Sequence, residues 1–120
     1  MDKHRAMVIE DNEDLAIIFS EALQAAGYEA IIINDGKVAM EQLREIQPAV
    51  IVLDLHLPHV SGDQILAQIR AEKDLADTRV VIATADPQMA DELQDRSDLV
   101  LLKPVSFNQL RDLAARLAPR

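Results

Sequence analysis

The stretch "VIVLDLHLPHVSG", residues 50–62, decides the fold, because a run of β-branched and aliphatic residues leads directly to a carboxylate at Asp54. An apolar run that is continuous rather than alternating is typical of a strand covered on both faces of a parallel sheet. Runs of the same kind recur at residues 6–9, 30–33, 80–83 and 99–102. The chain is therefore predicted to contain five buried strands.

Segments with helical periodicity separate these runs. The first carries an apolar stripe made of Leu15, Ile18, Phe19, Ala22, Leu23 and Ala26, and the last carries one made of Leu110, Leu113, Ala114 and Leu117. Such stripes are typical of helix faces that pack on a core. Strands that alternate with helices, joined by connections too long for hairpins, predict an α/β fold with a five-stranded parallel sheet and helices on both faces.

Local signals predict where several helices begin and end. Gly27 stands where the first helix should stop, and "SGDQ" (61–64) and "SFNQ" (106–109) have the form of capping boxes. Asp86 followed by Pro87 is the pattern of an N-cap with proline at the first helical position.

Length, composition and charge exclude several classes of protein. A chain of 120 residues predicts a single domain over residues 1–120. The absence of cysteine excludes disulfides and cysteine-based zinc sites. No run is apolar for long enough to act as a signal peptide or a membrane span, so we expect a cytoplasmic protein without a membrane partner. A net charge of −9 argues against direct binding of nucleic acid.

Polar residues follow the predicted strands at the edge where parallel α/β sheets bind ligands. They are Glu10, Asp11, Asn34, Asp35, Asp54, Thr84, Lys103 and Pro104. Clustered carboxylates are costly unless a cation offsets their charge. An oxygen-only ligand set favours Mg²⁺, with Mn²⁺ as the alternative. Taken one at a time these residues also fit ordinary roles as helix caps, strand residues and surface amines, but their position at one edge favours a site.

The sequence resembles the receiver domain of two-component response regulators, in particular the stand-alone, chemotaxis-regulator-like type. The resemblance runs through "MVIEDNED", "IINDGKVAM", "VIVLDLHLPHVSG", "VVIATAD" and "LLKPVS" and covers nearly the whole chain. It implies a flavodoxin-like (βα)5 fold with strand order 2-1-3-4-5. It also implies a signalling switch that is activated by phosphorylation.

The same resemblance implies roles for individual residues. Asp54 would accept a phosphoryl group from a sensor histidine kinase or a phosphotransfer protein. Asp11 and Asp54 would ligate Mg²⁺ directly, together with the backbone carbonyl of His56, and Glu10 would act through water.

Further roles concern the switch itself. Lys103 would pair with the phosphoryl group, and the Thr84 hydroxyl would turn toward it with help from the backbone N–H of Ala85. A cis peptide bond between Lys103 and Pro104 is expected. The resemblance leaves open the downstream protein target, and whether the chain is a monomer or a phosphorylation-dependent dimer.

The sequence departs from the family's pattern in two places. Val100 stands where most receivers have Tyr or Phe, so we do not expect the usual aromatic switch, and "DRSDL" (95–99) replaces a small Gly-Ala pair. Two positions that tune the phosphoryl lifetime in the family correspond to His56 and Asp86. We hypothesise that these side chains meet over the site; the alternative is an N-cap at Asp86 and an exposed loop residue at His56.

Three other functions are compared with this interpretation. A haloacid-dehalogenase-type phosphatase would need a second acid two residues after its nucleophile, where this chain has His56. A flavodoxin-like cofactor binder would need a phosphate loop, whereas "EDNED" (10–14) repels phosphate. A receiver-like scaffold that is never phosphorylated is disfavoured because all the charged site residues are present.

Overall fold

The computed structural model describes residues 3–119, in which five strands alternate with five helices. The strands are β1 (Arg5–Ile9), β2 (Glu29–Ile33), β3 (Val50–Asp54), β4 (Arg79–Thr84) and β5 (Leu99–Leu102). The helices are α1 (Glu13–Ala25), α2 (Gly36–Ile46), α3 (Gly62–Ala71), α4 (Pro87–Leu93) and α5 (Phe107–Arg116), with 3₁₀ turns at Lys73–Leu75 and Gln94–Arg96. Among these helices none is long and apolar enough to cross a bilayer.

All strand pairs are parallel, and the strands lie in the order β2-β1-β3-β4-β5. The predicted α/β fold and strand order are confirmed. Strand β3 lies at the centre and is buried along its whole length. The register pairs Asp54 with Ala83 and Thr84 with Leu102. The carboxyl ends of β1, β3, β4 and β5 therefore lie side by side.

Two apolar layers cover the sheet. Helices α1 and α5 pack on one face through Phe19, Leu23, Leu110 and Ala114. Helices α2, α3 and α4 cover the other face through Leu43, Ile65, Leu66, Ile69 and Leu93. Because each strand contributes alternate residues to the two layers, its sequence is apolar throughout, as predicted for a sheet covered on both faces.

Most of the predicted helix signals are realised. Ser61 and Gln64 form a complete capping box at the start of α3, and Asp86 caps α4 with Pro87 at its first position. At α5 only the bond from the Gln109 backbone N–H to the Ser106 hydroxyl is present. The chain leaves α1 through Gly27 at a φ of 102°, a conformation that glycine adopts without strain.

Three apolar residues are more exposed than the sequence predicted. Ile18, which we expected on the core face of α1, is 38% exposed because it lies at the rim of the buried arc formed by Phe19 and Leu23. Ile32 is 43% exposed and Leu102 is 48% exposed, because β2 and β5 are the edge strands and are not fully covered on both faces.

Candidate functional site

An acidic pocket lies at the carboxyl edge of the sheet. Glu10 follows β1 directly, Asp11 comes next, and Asp54 is the last residue of β3. One carboxylate oxygen from each lies within 4.8 Å of the others. Glu10 is 1% exposed and Asp54 is 3% exposed, whereas Asp11 is open to solvent. The structure thus brings together the three carboxylates that the sequence predicted at this edge.

Lys103 enters this pocket from the end of β5. Its backbone N–H donates a 2.8 Å hydrogen bond to the carbonyl of Thr84, and its peptide bond to Pro104 is cis, as the resemblance implied. Its Nζ lies 3.0 Å from Glu10 Oε1 and 3.3 Å from Asp54 Oδ1. One ammonium group therefore faces two buried carboxylates.

The electrostatics of the pocket reflect this imbalance. The pKa of Glu10 is raised to about 7, chiefly by burial; the neighbouring Asp54 carboxylate acts in the same direction, and the hydrogen bond from Lys103 acts in the opposite one. Burial alone would lower the pKa of Lys103, but the two carboxylates outweigh it and the pKa is raised. The pocket holds more negative charge than Lys103 neutralises.

The donor atoms of the pocket suit a hard divalent cation. The three carboxylates supply only oxygen ligands, and Asp11 makes no hydrogen bond or ion pair within residues 3–119. Mg²⁺ and Mn²⁺ prefer such ligands and retain several waters, so a partly open site fits them. The fit rests on Glu10, Asp11 and Asp54; the backbone carbonyl of His56 stays a predicted ligand.

Two contacts at the end of β3, one on the Asp54 carboxylate and one on the backbone, were not revealed by the sequence. The backbone N–H of His56 donates to Asp54 Oδ1 at 3.2 Å. Gly62 packs so closely on this strand end that an added Cβ would lie 2.6 Å from Leu55 Cα and 2.9 Å from the Asp54 carbonyl oxygen. The capping-box pattern predicted the helix start at Gly62, but not this close approach.

Thr84 ends β4 beside the pocket and is completely buried. Its hydroxyl accepts a 3.1 Å hydrogen bond from the backbone N–H of Asp86. The Asp86 carboxylate in turn accepts from the N–H groups of Gln88 and Met89 in the first turn of α4. Ala85 is exposed, and its backbone N–H has no acceptor within the described chain. The Thr84 hydroxyl is thus linked to the start of α4.

Other predicted residues have different surroundings. Asp86 acts as an N-cap and His56 is an exposed loop residue, as in the alternative reading. No side-chain hydrogen bond joins them in the part of the chain described, so their proposed meeting stays a hypothesis. Val100 is half-buried, pairs with Ile82 and packs in the apolar layer that covers that face. Among residues 3–119, no aromatic side chain belongs to this layer.

Comparisons with known proteins agree with this geometry. The family model described as the response regulator receiver domain matches residues 6–115. The polar-differentiation response regulator DivK of Brucella ovis is 32% identical over 103 residues, covering 83% of this chain and 84% of that protein.

Two solved structures show the same fold. The bacteriophytochrome response regulator RtBRR is 30% identical, with a TM-score of 0.79 over 100% of this chain and 80% of that one. The receiver domain of the sensor histidine kinase PA1611 from Pseudomonas aeruginosa, described with a magnesium ion in its active-site cleft, has a TM-score of 0.85 at 23% identity and covers 97% of this chain and 98% of that one. The chain therefore belongs to the family of response regulator receiver domains.

Proposed function

We propose that this receiver domain is a phosphorylation-activated switch in which Asp54 accepts a phosphoryl group from a sensor histidine kinase or a phosphotransfer protein, with Mg²⁺ bound. Receiver domains are signalling switches rather than enzymes with an external substrate. One observation carries the proposal. Asp54 ends a central strand within 4.8 Å of two further carboxylates and 3.3 Å from the ammonium group of Lys103.

The metal ligands are proposed on the chemistry of the pocket. Asp11 and Asp54 would bind Mg²⁺ directly with the carbonyl of His56, and Glu10 would act through water. When bound, Mg²⁺ offsets negative charge on phosphoryl oxygens. The magnesium described for the Pseudomonas aeruginosa receiver supports this choice of ion.

Asp54, Lys103 and the His56 N–H have different roles in phosphoryl transfer. A carboxylate oxygen of Asp54 forms a bond to phosphorus while the bond from phosphorus to the donor histidine nitrogen breaks, and the released imidazole takes up a proton. Lys103 neutralises part of the charge of the transferred group, which adds about −1.5 to −2 beside the buried Asp54 side chain. The His56 N–H bond to Oδ1 holds the attacking carboxylate in place.

Intact-mass analysis after incubation with acetyl phosphate and Mg²⁺ tests the proposal. The wild type should gain one phosphoryl group, and Asp54→Asn and an EDTA-treated wild type should gain none. Asp35→Asn is the matched control, because Asp35 is a carboxylate at the same sheet edge that caps α2, and asparagine also caps helices well. A wild type that stays unmodified, or an Asp54→Asn variant that is modified equally, contradicts the proposal.

We propose further that the switch passes from Thr84 to helix α4. The Thr84 hydroxyl accepts a 3.1 Å hydrogen bond from the backbone N–H of Asp86. This bond must break when the hydroxyl turns to the phosphoryl group. Helix α4 has seven residues, of which only Ala90 and Leu93 are buried, so it is the shortest helix of the described chain and is lightly anchored. We therefore expect α4 to move when the Thr84 hydroxyl turns to the phosphoryl group.

Amide chemical shifts measure this response. In the wild type, phosphorylation should shift the amides of α4. Thr84→Val keeps the shape of the side chain but removes the hydroxyl, so it should still be phosphorylated while the α4 shifts become much smaller. Thr78→Val, in the residue just before the opposite end of β4, is the control and should keep the α4 shifts. Equal α4 shifts in wild type and Thr84→Val would exclude this route.

A surface beside the pocket offers a place for the phosphodonor. Ile17 on α1 is 50% exposed and Ile32 on β2 is 43% exposed, and both line a shallow pocket together with Glu10, Asp11 and Asn34. We propose that a helix of the donor protein covers these apolar residues. Ile17→Ser should slow phosphorylation by a donor protein but not by acetyl phosphate, and equal slowing with both would contradict the proposal.

The phosphoryl lifetime is proposed to depend on His56 and Asp86. Both lie in the loops that follow the strands of Asp54 and Thr84, and His56 is exposed. Dephosphorylation rates of His56→Ala and Asp86→Ala test this; because Asp86 also caps α4, Asp86→Asn serves as the variant that keeps the cap and removes the charge. Unchanged phosphoryl lifetimes in His56→Ala and Asp86→Asn would contradict this proposal.

A further inference from the structure

A second concave site lies at the opposite end of the sheet from Asp54. It is a groove of about 750 Å³ at the amino ends of the strands, where Arg79 begins β4, Ala49 precedes β3 and Asp98 precedes β5. Ligand pockets in proteins commonly have volumes of about 300–1,000 Å³. The groove is large enough for a small organic molecule.

Positive charge collects in this groove although the chain as a whole is acidic. Three arginines, Arg70, Arg79 and Arg116, line it against two carboxylates, Asp77 and Asp98. The chain as a whole has a net charge of −9. The local excess of guanidinium groups favours an anion, while the overall charge disfavours a long polyanion such as nucleic acid.

A network around Asp98 makes part of the groove rigid. Arg70 Nε donates to the carbonyl of Arg96 at 2.9 Å, and Arg70 Nη2 lies 3.2 Å from Asp98 Oδ2. The same carboxylate oxygen accepts the backbone N–H of Val80 at 2.7 Å. Arg70 and Asp98 thus satisfy one another and hold the walls of the groove in place.

Arg79 and Arg116 keep hydrogen-bond donors for a ligand. Toward the residues that the structure describes, the Arg79 side chain donates only through Nη1, which lies 3.1 Å from Asp98 Oδ1, and it is 56% exposed. The Arg116 side chain makes no hydrogen bond or ion pair within residues 3–119. A guanidinium group presents a planar fork that matches carboxylate and phosphate oxygens. Because Asp98 already orders Arg79, binding there costs less side-chain entropy.

The rest of the wall is apolar. It is formed by Ala49, Ala76, Leu117, Ala118 and Pro119. We propose that this groove binds a small organic anion, with a carboxylate or phosphate group held by Arg79 and Arg116 and a compact carbon body against the apolar wall. The inference does not rest on phosphorylation of Asp54, because the two sites lie at opposite ends of the sheet and share no residue.

A titration followed by amide chemical shifts tests the inference. The probes are phenyl phosphate and benzoate, which carry the two candidate anionic groups on the same apolar ring, and inorganic phosphate, which lacks the ring. Asp54→Asn is used as the background so that no probe can transfer a phosphoryl group to Asp54. At least one ring-bearing probe should shift the amides of residues 76–80, 98 and 117–118, with a dissociation constant of about 1 mM or below.

Variants assign the binding to the two arginines. Arg116→Gln and Arg79→Gln should each weaken the probe about tenfold, the loss expected for one charged hydrogen-bonding partner. Arg111→Gln, also on α5 but paired with Asp112 outside the groove, is the control and should bind as the parent does. Absence of saturable shifts with both ring-bearing probes would overturn the inference. So would equal binding by Arg116→Gln and Arg111→Gln, or equal affinity for inorganic phosphate.

Discussion

Lys103 and Glu10 are 93 positions apart in the chain, yet Lys103 Nζ lies 3.0 Å from Glu10 Oε1, and the Glu10 side chain is only 1% exposed. The same ammonium group lies 3.3 Å from Asp54 Oδ1, and the Asp54 side chain is 3% exposed. Without a metal ion, Lys103 is the only cation within ion-pair distance of these two carboxylates in the described chain. It therefore links the stability of the domain to the charge of the pocket.

Lys103→Met should lower the free energy of unfolding by about 3 kcal/mol in EDTA well above pH 7, because it leaves two buried carboxylates without a cation to offset their charge. Because Lys103 lowers the pKa of Glu10, the variant should take up the Glu10 proton at a higher pH than the wild type, so the cost should shrink as the pH falls toward about 7 and be smallest below it. Urea unfolding on both sides of this pH measures the effect.

Two controls distinguish the loss of the Lys103 ion pairs from the loss of any positive charge. Lys37→Met removes an exposed lysine that forms no ion pair within residues 3–119 and should change stability by less than about 0.5 kcal/mol. Glu10→Gln added to Lys103→Met should recover part of the loss. If Lys103→Met costs as little as Lys37→Met, the pair does not carry the stability assigned to it.

The strands and the site edge were predictable because their signals are local. A continuous apolar run such as residues 50–53 reports burial on both faces, and the first polar residue after it reports the strand end. The order of the strands then brings Asp11, Asp54 and Lys103 together, and that order came from the resemblance rather than from the apolar runs.

Other features depend on relations between distant residues and carry no local signal. Ile32 lies in an apolar run like the others, but its strand is at the sheet edge, so its exposure follows from topology. The Lys103–Glu10 pair depends on which of several acceptors a flexible side chain reaches. The close approach at Gly62 depends on how α3 packs against Leu55, which the capping pattern does not describe.

Gly62→Ala should disturb both stability and phosphorylation. The added Cβ would lie 2.6 Å from Leu55 Cα and 2.9 Å from the Asp54 carbonyl oxygen, so the backbone that carries Asp54 must shift. We expect a loss of about 2 kcal/mol in unfolding free energy, typical of overpacking. Labelling by acetyl phosphate should slow as well.

Gly27→Ala is the control that distinguishes a general loss of stability from a displacement of Asp54. Gly27 has a φ of 102° and nothing within 4 Å of an added Cβ, so alanine is strained there but clashes with nothing. It should cost about 1 kcal/mol and leave the labelling rate of the folded protein unchanged. If Gly27→Ala slows labelling as much as Gly62→Ala does, loss of stability alone explains both results.

Tyr28→Phe should weaken the contact between the start of β2 and α5. The buried Tyr28 hydroxyl donates a 2.8 Å hydrogen bond to the carbonyl of Ala114, and burial raises the pKa of this phenol. Phenylalanine fills the same space, so we expect a loss of about 1 kcal/mol from the missing bond. Chemical denaturation measures it, and an unchanged midpoint would contradict the prediction.

Asp98→Asn should reveal an acid-sensitive contribution to stability. Burial would raise the pKa of Asp98, but the Val80 N–H and the guanidinium groups of Arg79 and Arg70 outweigh it, so the pKa lies below the usual 3.8. A carboxyl group with a lowered pKa in the folded state stabilises the protein above its unfolded pKa and loses that effect as the pH falls through the folded value. The variant should therefore be less stable by about 2 kcal/mol at pH 7. The difference should persist down to about pH 4 and shrink below it.

Urea unfolding at several pH values tests this prediction for Asp98. Asp112→Asn, which removes the carboxylate of the exposed pair with Arg111, is the control and should stay within about 0.5 kcal/mol of wild type. A difference that does not change between pH 7 and pH 2 would mean that the charge of Asp98 is not what stabilises this end of the sheet.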